Sequence, residues 1–432
     1  MSGERAPLSP PDGARGAIVL RQPPSPGAPE YADRILNRPF VLLCISVFFS
    51  AFAFQMLIPV IPLYLLAVGG EDWQAGLVMG AAALSALAVR PAVGYFADNV
   101  GRVPLLRFAA LVYIVTAGLF PFARGVTSLL LVRVVQGFGL SAQSTAASTY
   151  AGDVSPPVRR GEAMGLFGSS INVATAVGPL TGVWLAKSYS FNHVWLLGGI
   201  ASAVALVVAL SMRDRVTRAT RAAEAAGPLR ATGMGRFFSR EALYPSVLGL
   251  FFTASFGAIV AFLPVLAEHR GIGNPGWFFL PYAITIIVTR VVAGRASDRW
   301  GRSVVLLPGM GALAAGMLVL ALSTGVSTML LAAVIYGIGF GTVHPALMAL
   351  VADRAAPGRL GVAMSTFSAA FDLGIGGGAL IWGAFVAFSD ERAAFYGGAV
   401  AAMLGLLVVA ARFRRDRLAE QQAYRTVRLS QE

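Results

Sequence analysis

The chain has 432 residues, 56% of them hydrophobic and 13% charged, a formal charge of +13 and a mean hydropathy of +0.70. Charge this sparse cannot coat a soluble globule of such length, and the apolar runs between the charges need lipid around them. The one cysteine, Cys44, permits no internal disulfide, and with no CxxC or Cys/His cluster neither a metal nor a cofactor is expected.

Residues 1–38, rich in Pro, Gly, Ser and Arg, read as a flexible cytoplasmic tail; their only apolar stretch, Ala17 to Leu20, is too short for the core of a signal peptide. From residue 39 onward, apolar runs of about 20 residues, enough to cross a bilayer core of ~30 Å, recur between short polar breaks. Twelve spans are predicted, at 39–67, 73–96, 104–122, 127–151, 162–186, 192–212, 242–267, 276–296, 303–322, 328–351, 360–386 and 392–411. Each must be helical, because a segment in lipid has to satisfy its own backbone hydrogen bonds and none of the runs alternates like a porin strand.

An even number of spans puts both termini on one side. The tails, the 213–241 linker and the loops after spans 2, 4, 8 and 10 hold nearly all the arginine outside the spans, whereas the opposite loops hold Arg124, Lys187, Arg270 and Arg392. By the positive-inside rule the tails and linker are cytoplasmic, so the positive charge follows from topology and lipid headgroups and implies no nucleic-acid partner. The fold expected is an all-α integral membrane protein of twelve transmembrane helices in two six-helix pseudo-symmetric bundles. It divides into the tail 1–38, a bundle at 39–212, the linker 213–241, a second bundle at 242–411 and a cytoplasmic tail at 412–432, multi-pass in the cell (inner) membrane.

The two halves align at a constant offset of 200 residues. Arg90, Gly94, Asp98, Gly101 and Arg102 recur as Arg290, Gly294, Asp298, Gly301 and Arg302. Gly137, Gly139, Asp153, Pro157, Arg159 and Gly178 recur as Gly337, Gly339, Asp353, Pro357, Arg359 and Gly378. Two halves of like orientation imply a pseudo-two-fold axis along the membrane normal, with a cleft between the bundles that opens to each side in turn as they rock.

After span 2 the chain reads Gly94-Tyr-Phe-Ala-Asp98-Asn-Val-Gly101-Arg102, and after span 8 Gly294-Arg-Ala-Ser-Asp298-Arg-Trp-Gly301-Arg302. These are tight reversals in which glycine permits the turn, aspartate can cap or face a helix N-terminus, and arginine can meet acids or helix C-termini. Arg90 and Arg290 lie shortly before the loop motifs and are placed snorkelling to the cytoplasmic headgroups. The paired loops resemble the signature of the major facilitator superfamily, and the likeness covers roughly residues 39–411. It implies that Asp98 with Arg102, and Asp298 with Arg302, latch the outward-open state; a turn needed only for insertion is the plainer reading. In span 4, Arg133-Val-Val-Gln136-Gly137 is similar to a family motif whose embedded arginine serves proton transfer or substrate binding, the alternative being a structural pair with a polar neighbour. In span 5, Gly165-Leu-Phe-Gly168 followed by Gly178-Pro179-Leu-Thr-Gly182 resembles the antiporter motif of proton-coupled exporters, with Val183 where a second glycine is usual.

Within the spans, Asp372 stands out as the lone carboxylate near mid-membrane, and its repeat mate is Asn172. A buried acid can load and release a proton as the cleft alternates, bind substrate, or make a static hydrogen bond. His344, followed by Pro345, is either a second titratable group or part of a kink. Gln55, Gln143 and Tyr282 are cleft hydrogen-bonding candidates that packing alone would also explain. No GxxxxGK[ST], HExxH or GxSxG is present, so an ATP pump or an enzyme lacks its parts.

The reading that emerges is a secondary active transporter, not an enzyme, that exports a drug or metabolite by proton antiport through alternating access and works as a monomer. Three intramembrane arginines against one aspartate favour an anionic or zwitterionic cargo. The rivals are a proton symporter importing a sugar or organic acid, and a receptor that binds without transport.

Overall fold

In the computed structural model, residues 35–156, 159–214, 239–355 and 360–429 are described, so most of the N-terminal tail and linker lie outside the described residues, as do Pro157, Pro357 and Arg359. The described residues hold twelve helices long and apolar enough to cross a membrane. They are α1 (Arg38–Ala67), α2 (Asp72–Asn99), α3 (Arg102–Leu119), α4 (Val126–Val154), α5 (Arg160–Ser188) and α6 (Phe191–Leu210). The second set is α7 (Leu243–His269), α8 (Phe279–Trp300), α9 (Arg302–Ala321), α10 (Val326–Arg354), α11 (Leu360–Val386) and α12 (Arg392–Leu429).

Each observed helix overlaps its predicted span, with two differences of substance. The first turn expected of α8 is a 3-10 turn, Pro275–Phe278, where the side chain of Asn274 accepts from the Gly276 amide. At the other end of the chain α12 runs on to Leu429, so most of the segment read as a tail continues the last helix; its composition, alternating Arg with Ala, Leu and Gln, favours helix outside lipid as well.

The offset of 200 seen in the sequence is also structural. Arg102 and Arg302 both open helices after a glycine of positive φ, Gly101 at 127° and Gly301 at 91°, a backbone state that side-chain-bearing residues rarely adopt. Gly125 and Gly325 precede α4 and α10 with φ of −162° in each case, and the hydroxyls of Ser128 and Thr328 accept from their amides at 3.2 and 3.4 Å. Inside each bundle the neighbours correspond: α1 packs on α5 and α6, α2 on α4 and α3 on both α4 and α6, while α7 packs on α11 and α12, α8 on α10 and α9 on both α10 and α12.

The two bundles meet through α2 with α11 and through α5 with α8, and α7 touches both α1 and α2. Call the face bearing the chain ends and the linker the linker face. On the opposite face the bundles close on one another. A side chain at Gly76 would run into the Ala379 carbonyl, one at Gly80 would come within 2.8 Å of the Gly376 carbonyl, and one at Gly276 within 2.7 Å of the Pro179 carbonyl. Lys187 donates to Glu268 at 2.9 Å and to the Gly273 carbonyl at 3.1 Å, adding a bridge from the first bundle to the second. Towards the linker face the contact stops: positions Gly94, Gly165 and Gly294 have open space where a side chain would be, and Tyr95, Phe96 and Leu166 are exposed. The opposite-face half of the first bundle shares one apolar core with the second bundle, whereas its linker-face half has a separate core. The cleft therefore opens at the linker face.

Candidate translocation site

Asp372 lies 12 residues into α11, roughly 18 Å along it at ~1.5 Å per residue, where the closed seam between α2 and α11 ends. There it forms an ion pair with Arg90 of α2. Arg90 thus reaches across to the other bundle and not to the headgroups, contrary to the snorkelling expected of it; with Asp372 held in an apolar span, leaving that carboxylate without a counter-charge would be costly, and Arg90 supplies it. Both side chains keep part of their surface open, 20% for Arg90 and 16% for Asp372.

The repeat mates of this pair behave differently. Arg290 of α8 stands against α5, its Nη1 3.6 Å from where a side chain at Gly168 would begin, and Asn172, one turn further along α5, is half-buried. Asn172 carries no charge to offer. Among the described residues Arg290 makes no hydrogen bond or ion pair, and its buried Nε has no partner.

Arg133 is 2% exposed and sits inside the first bundle, between α4 and α2. It donates to the Gln136 side chain and, from Nε, to the Val78 carbonyl at 3.3 Å, with Nη2 3.4 Å from the Met79 carbonyl, and it lies over the Phe54 ring at 5.9 Å. Neutral dipoles on two helices take up its charge.

His344 makes no hydrogen bond among the described residues. It lies in an aromatic wall where α7, α8, α10 and α11 converge: Phe340 stacks on it at 5.9 Å and 19°, and Phe371 meets it edge-on at 5.4 Å. Tyr282, 2% exposed, stacks on Phe256 at 6.0 Å in the same wall. Gln55 donates to the Thr175 hydroxyl and so joins α1 to α5. Gln143 is buried on α4.

Of the loop motifs, the side chains of Asp98 and Asp298 lie outside the described residues. Their arginines pair within their own bundles: Arg102 Nε is 3.2 Å from Asp153 of α4, and Arg302 Nε is 2.9 Å from Asp353 of α10. These carboxylates recur at the same offset, so each loop is tied to the end of a neighbouring helix. Gly178 and Gly182 have the α1 backbone at Met56 against them, close enough that a side chain at Gly182 would strike the Met56 carbonyl. Pro179, on α5 beside them, turns its carbonyl towards Gly276 at the inter-bundle seam.

Among the described residues, one group of potential metal ligands gathers on the opposite face, Asp72, His269 and Glu391. The imidazole turns Nε2 to Asp72 at 3.5 Å and Nδ1 to Glu391 at 3.3 Å, and Arg270 also contacts Glu391 at 3.4 Å. With the two carboxylates on different ring nitrogens and a cation alongside, the group suits hydrogen bonding across the seam better than metal ligation.

Comparison with known proteins agrees with this architecture. The family model described as Major Facilitator Superfamily matches residues 43–288 and 275–428. An MFS-type transporter of Methanocaldococcus jannaschii is 22% identical over 81% of this chain and 91% of its own length. The staphylopine export protein of Staphylococcus aureus is 26% identical over 79% of this chain and 88% of its own. The crystal structure of the nucleoside transporter NupG superposes with a TM-score of 0.71, covering 87% of this chain and 100% of that one at 14% identity. With its two matching six-helix bundles, central cleft and paired loop signatures, this multi-pass membrane protein belongs to the Major Facilitator Superfamily of transporters.

Proposed function

We propose that the protein exports a small anionic or zwitterionic metabolite or drug in exchange for protons, and that Asp372 carries the proton. The observation that supports this most directly is the Arg90–Asp372 ion pair, the last contact of the closed seam before the open cleft. The arginine-rich linker face is taken as cytoplasmic by the positive-inside rule, which makes this conformation open to the cytoplasm.

The pair ties α2 to α11 while Asp372 is ionised. A proton on Asp372 removes the charge that Arg90 answers, and an anionic group of the cargo competes with Asp372 for Arg90. Either event loosens the tie and lets the bundles rock. One is enough for each crossing, which is the requirement for exchange. Arg102 and Arg302, which also meet Asp153 and Asp353, form with Asp98 and Asp298 the latch that holds the linker face shut in the other state. Gly168, Gly178, Pro179 and Gly182 let α5 lie close to α1 and follow the cleft wall. Sequence similarity over most of both chains to a protein named for staphylopine export favours the outward direction.

The test is uptake into everted membrane vesicles that are acidified inside, using radiolabelled candidate anions. Uptake should collapse with a protonophore and fall at least tenfold in Asp372→Asn while exchange of cargo for cargo continues. Uptake that needs an outside-acid gradient would identify a symporter, and unchanged uptake in the variant would remove Asp372 from coupling.

A further inference from the structure

The pseudo-two-fold symmetry holds for the two cleft arginines and fails for their partners. Arg90 faces Asp372 and is neutralised, whereas Arg290 stands against Gly168 of α5, one turn from Asn172, and has no acid among the described residues. Neither arginine's Nε finds a hydrogen-bond partner, so what sets Arg290 apart is a membrane-embedded guanidinium with no counter-charge among the described residues, which is expensive unless something arrives to pair with it. The surroundings of Arg290 also specify shape. Its neighbour Thr289 packs against Gly341, which lies between Phe340 and His344 on α10, and Tyr282 lies about two turns back on the same helix. Tyr282 and His344 belong to the aromatic wall in which Phe256, Phe340, His344 and Phe371 keep part of their surface uncovered. Stacked and edge-on rings present faces and edges to a planar guest, and a guanidinium fork matches a carboxylate in the same plane.

We infer that Arg290 and this wall form a binding subsite for an aromatic carboxylate, with the carboxylate on Arg290 and the ring against Phe340 and Phe371. The subsite deepens the proposal of an anionic cargo and rests on it. Asn172 is the residue that keeps the subsite vacant for a ligand: an aspartate there would repeat the Arg90–Asp372 arrangement and neutralise Arg290 internally.

The experiment uses the purified full-length protein in nanodiscs with 1-naphthoate as probe, followed by tryptophan quenching. Its neutral amide, 1-naphthamide, and the non-aromatic cyclohexanecarboxylate serve as comparators. Naphthoate is expected to bind at least tenfold more tightly than either. Arg290→Gln should weaken naphthoate at least tenfold and leave naphthamide unchanged, and Asn172→Asp, which keeps Arg290 and its packing, should weaken naphthoate to a similar extent. Thermal unfolding of both variants identifies loss by misfolding, and Asn172→Asp decides between the outcomes if Arg290→Gln does not fold. Equal binding of acid and amide, or full binding in a folded Asn172→Asp protein, overturns the inference. Binding requires no gradient, so failure here with proton-driven flux intact removes the subsite alone, while naphthoate binding without proton-driven flux removes the coupling proposal alone.

Discussion

Asp372 and Asn172 occupy the same place in the two halves and differ by one charge, and it is Asp372 that carries an ion pair from one bundle to the other. The lone acid was legible in the sequence because a carboxylate in an apolar span is conspicuous, and the repeat offset pointed to Asn172. Its partner was not legible. Arg90 is 282 residues away, and whether it turns to headgroup or to acid depends on how closely α2 and α11 approach, which the sequence does not state locally. Arg133 shows the converse: a buried arginine invites a coupling role, whereas its carbonyl and amide partners on α2 and α4 favour the reading we propose for it, a clamp inside one bundle. Arg133→Leu should therefore cost about 1–3 kcal/mol of stability through the polar groups it leaves unpaired, read as a lower unfolding temperature in detergent, while proton-driven flux per folded molecule persists. Coupling lost at unchanged stability would give Arg133 back its proton-transfer role.

At the level of helices, the turn and cap signals were readable: glycine before Arg102 and Arg302, and Gly125 and Gly325 before α4 and α10, all appear where the repeat places them. The seam of small residues on α2 and α11, Gly76, Gly80, Gly376 and Gly383, was not readable, because glycine in a membrane helix signals close packing without naming the helix that approaches. In the structure Gly76 lies on the Ala379 carbonyl and Gly182 on Met56, and the two should respond differently to bulk. Gly182→Val separates α5 from α1 within one bundle and should destabilise the folded protein by about 1–3 kcal/mol, visible in thermal unfolding. Gly76→Val wedges only the seam between bundles. It should raise, several-fold, the rate at which an impermeant maleimide added at the opposite face labels a cysteine introduced as Ala83→Cys, a position now packed against Gly376. An unchanged rate would mean that this seam is not the moving closure.

For the molecule as a whole, two similarly built bundles closed at one face and parted at the other suit a rocking motion, and in the mechanism we propose the Arg90–Asp372 pair sits at its fulcrum. Breaking a largely buried ion pair by removing one partner costs about 3–5 kcal/mol, enough to shift a two-state population more than a hundredfold at ~1.4 kcal/mol per tenfold. The account is tested most directly by spin–spin distances across both faces, with Cys44 replaced and labels introduced as Val100→Cys with Ala352→Cys at the linker face, or Tyr189→Cys with Phe388→Cys at the opposite face. The parent protein should give a long distance at the linker face and a short one at the opposite face, and Asp372→Asn should shift the populations towards the reverse, one distance shortening as the other lengthens. Identical distributions with and without the Asp372 carboxylate, or two faces that open and close together, would contradict it.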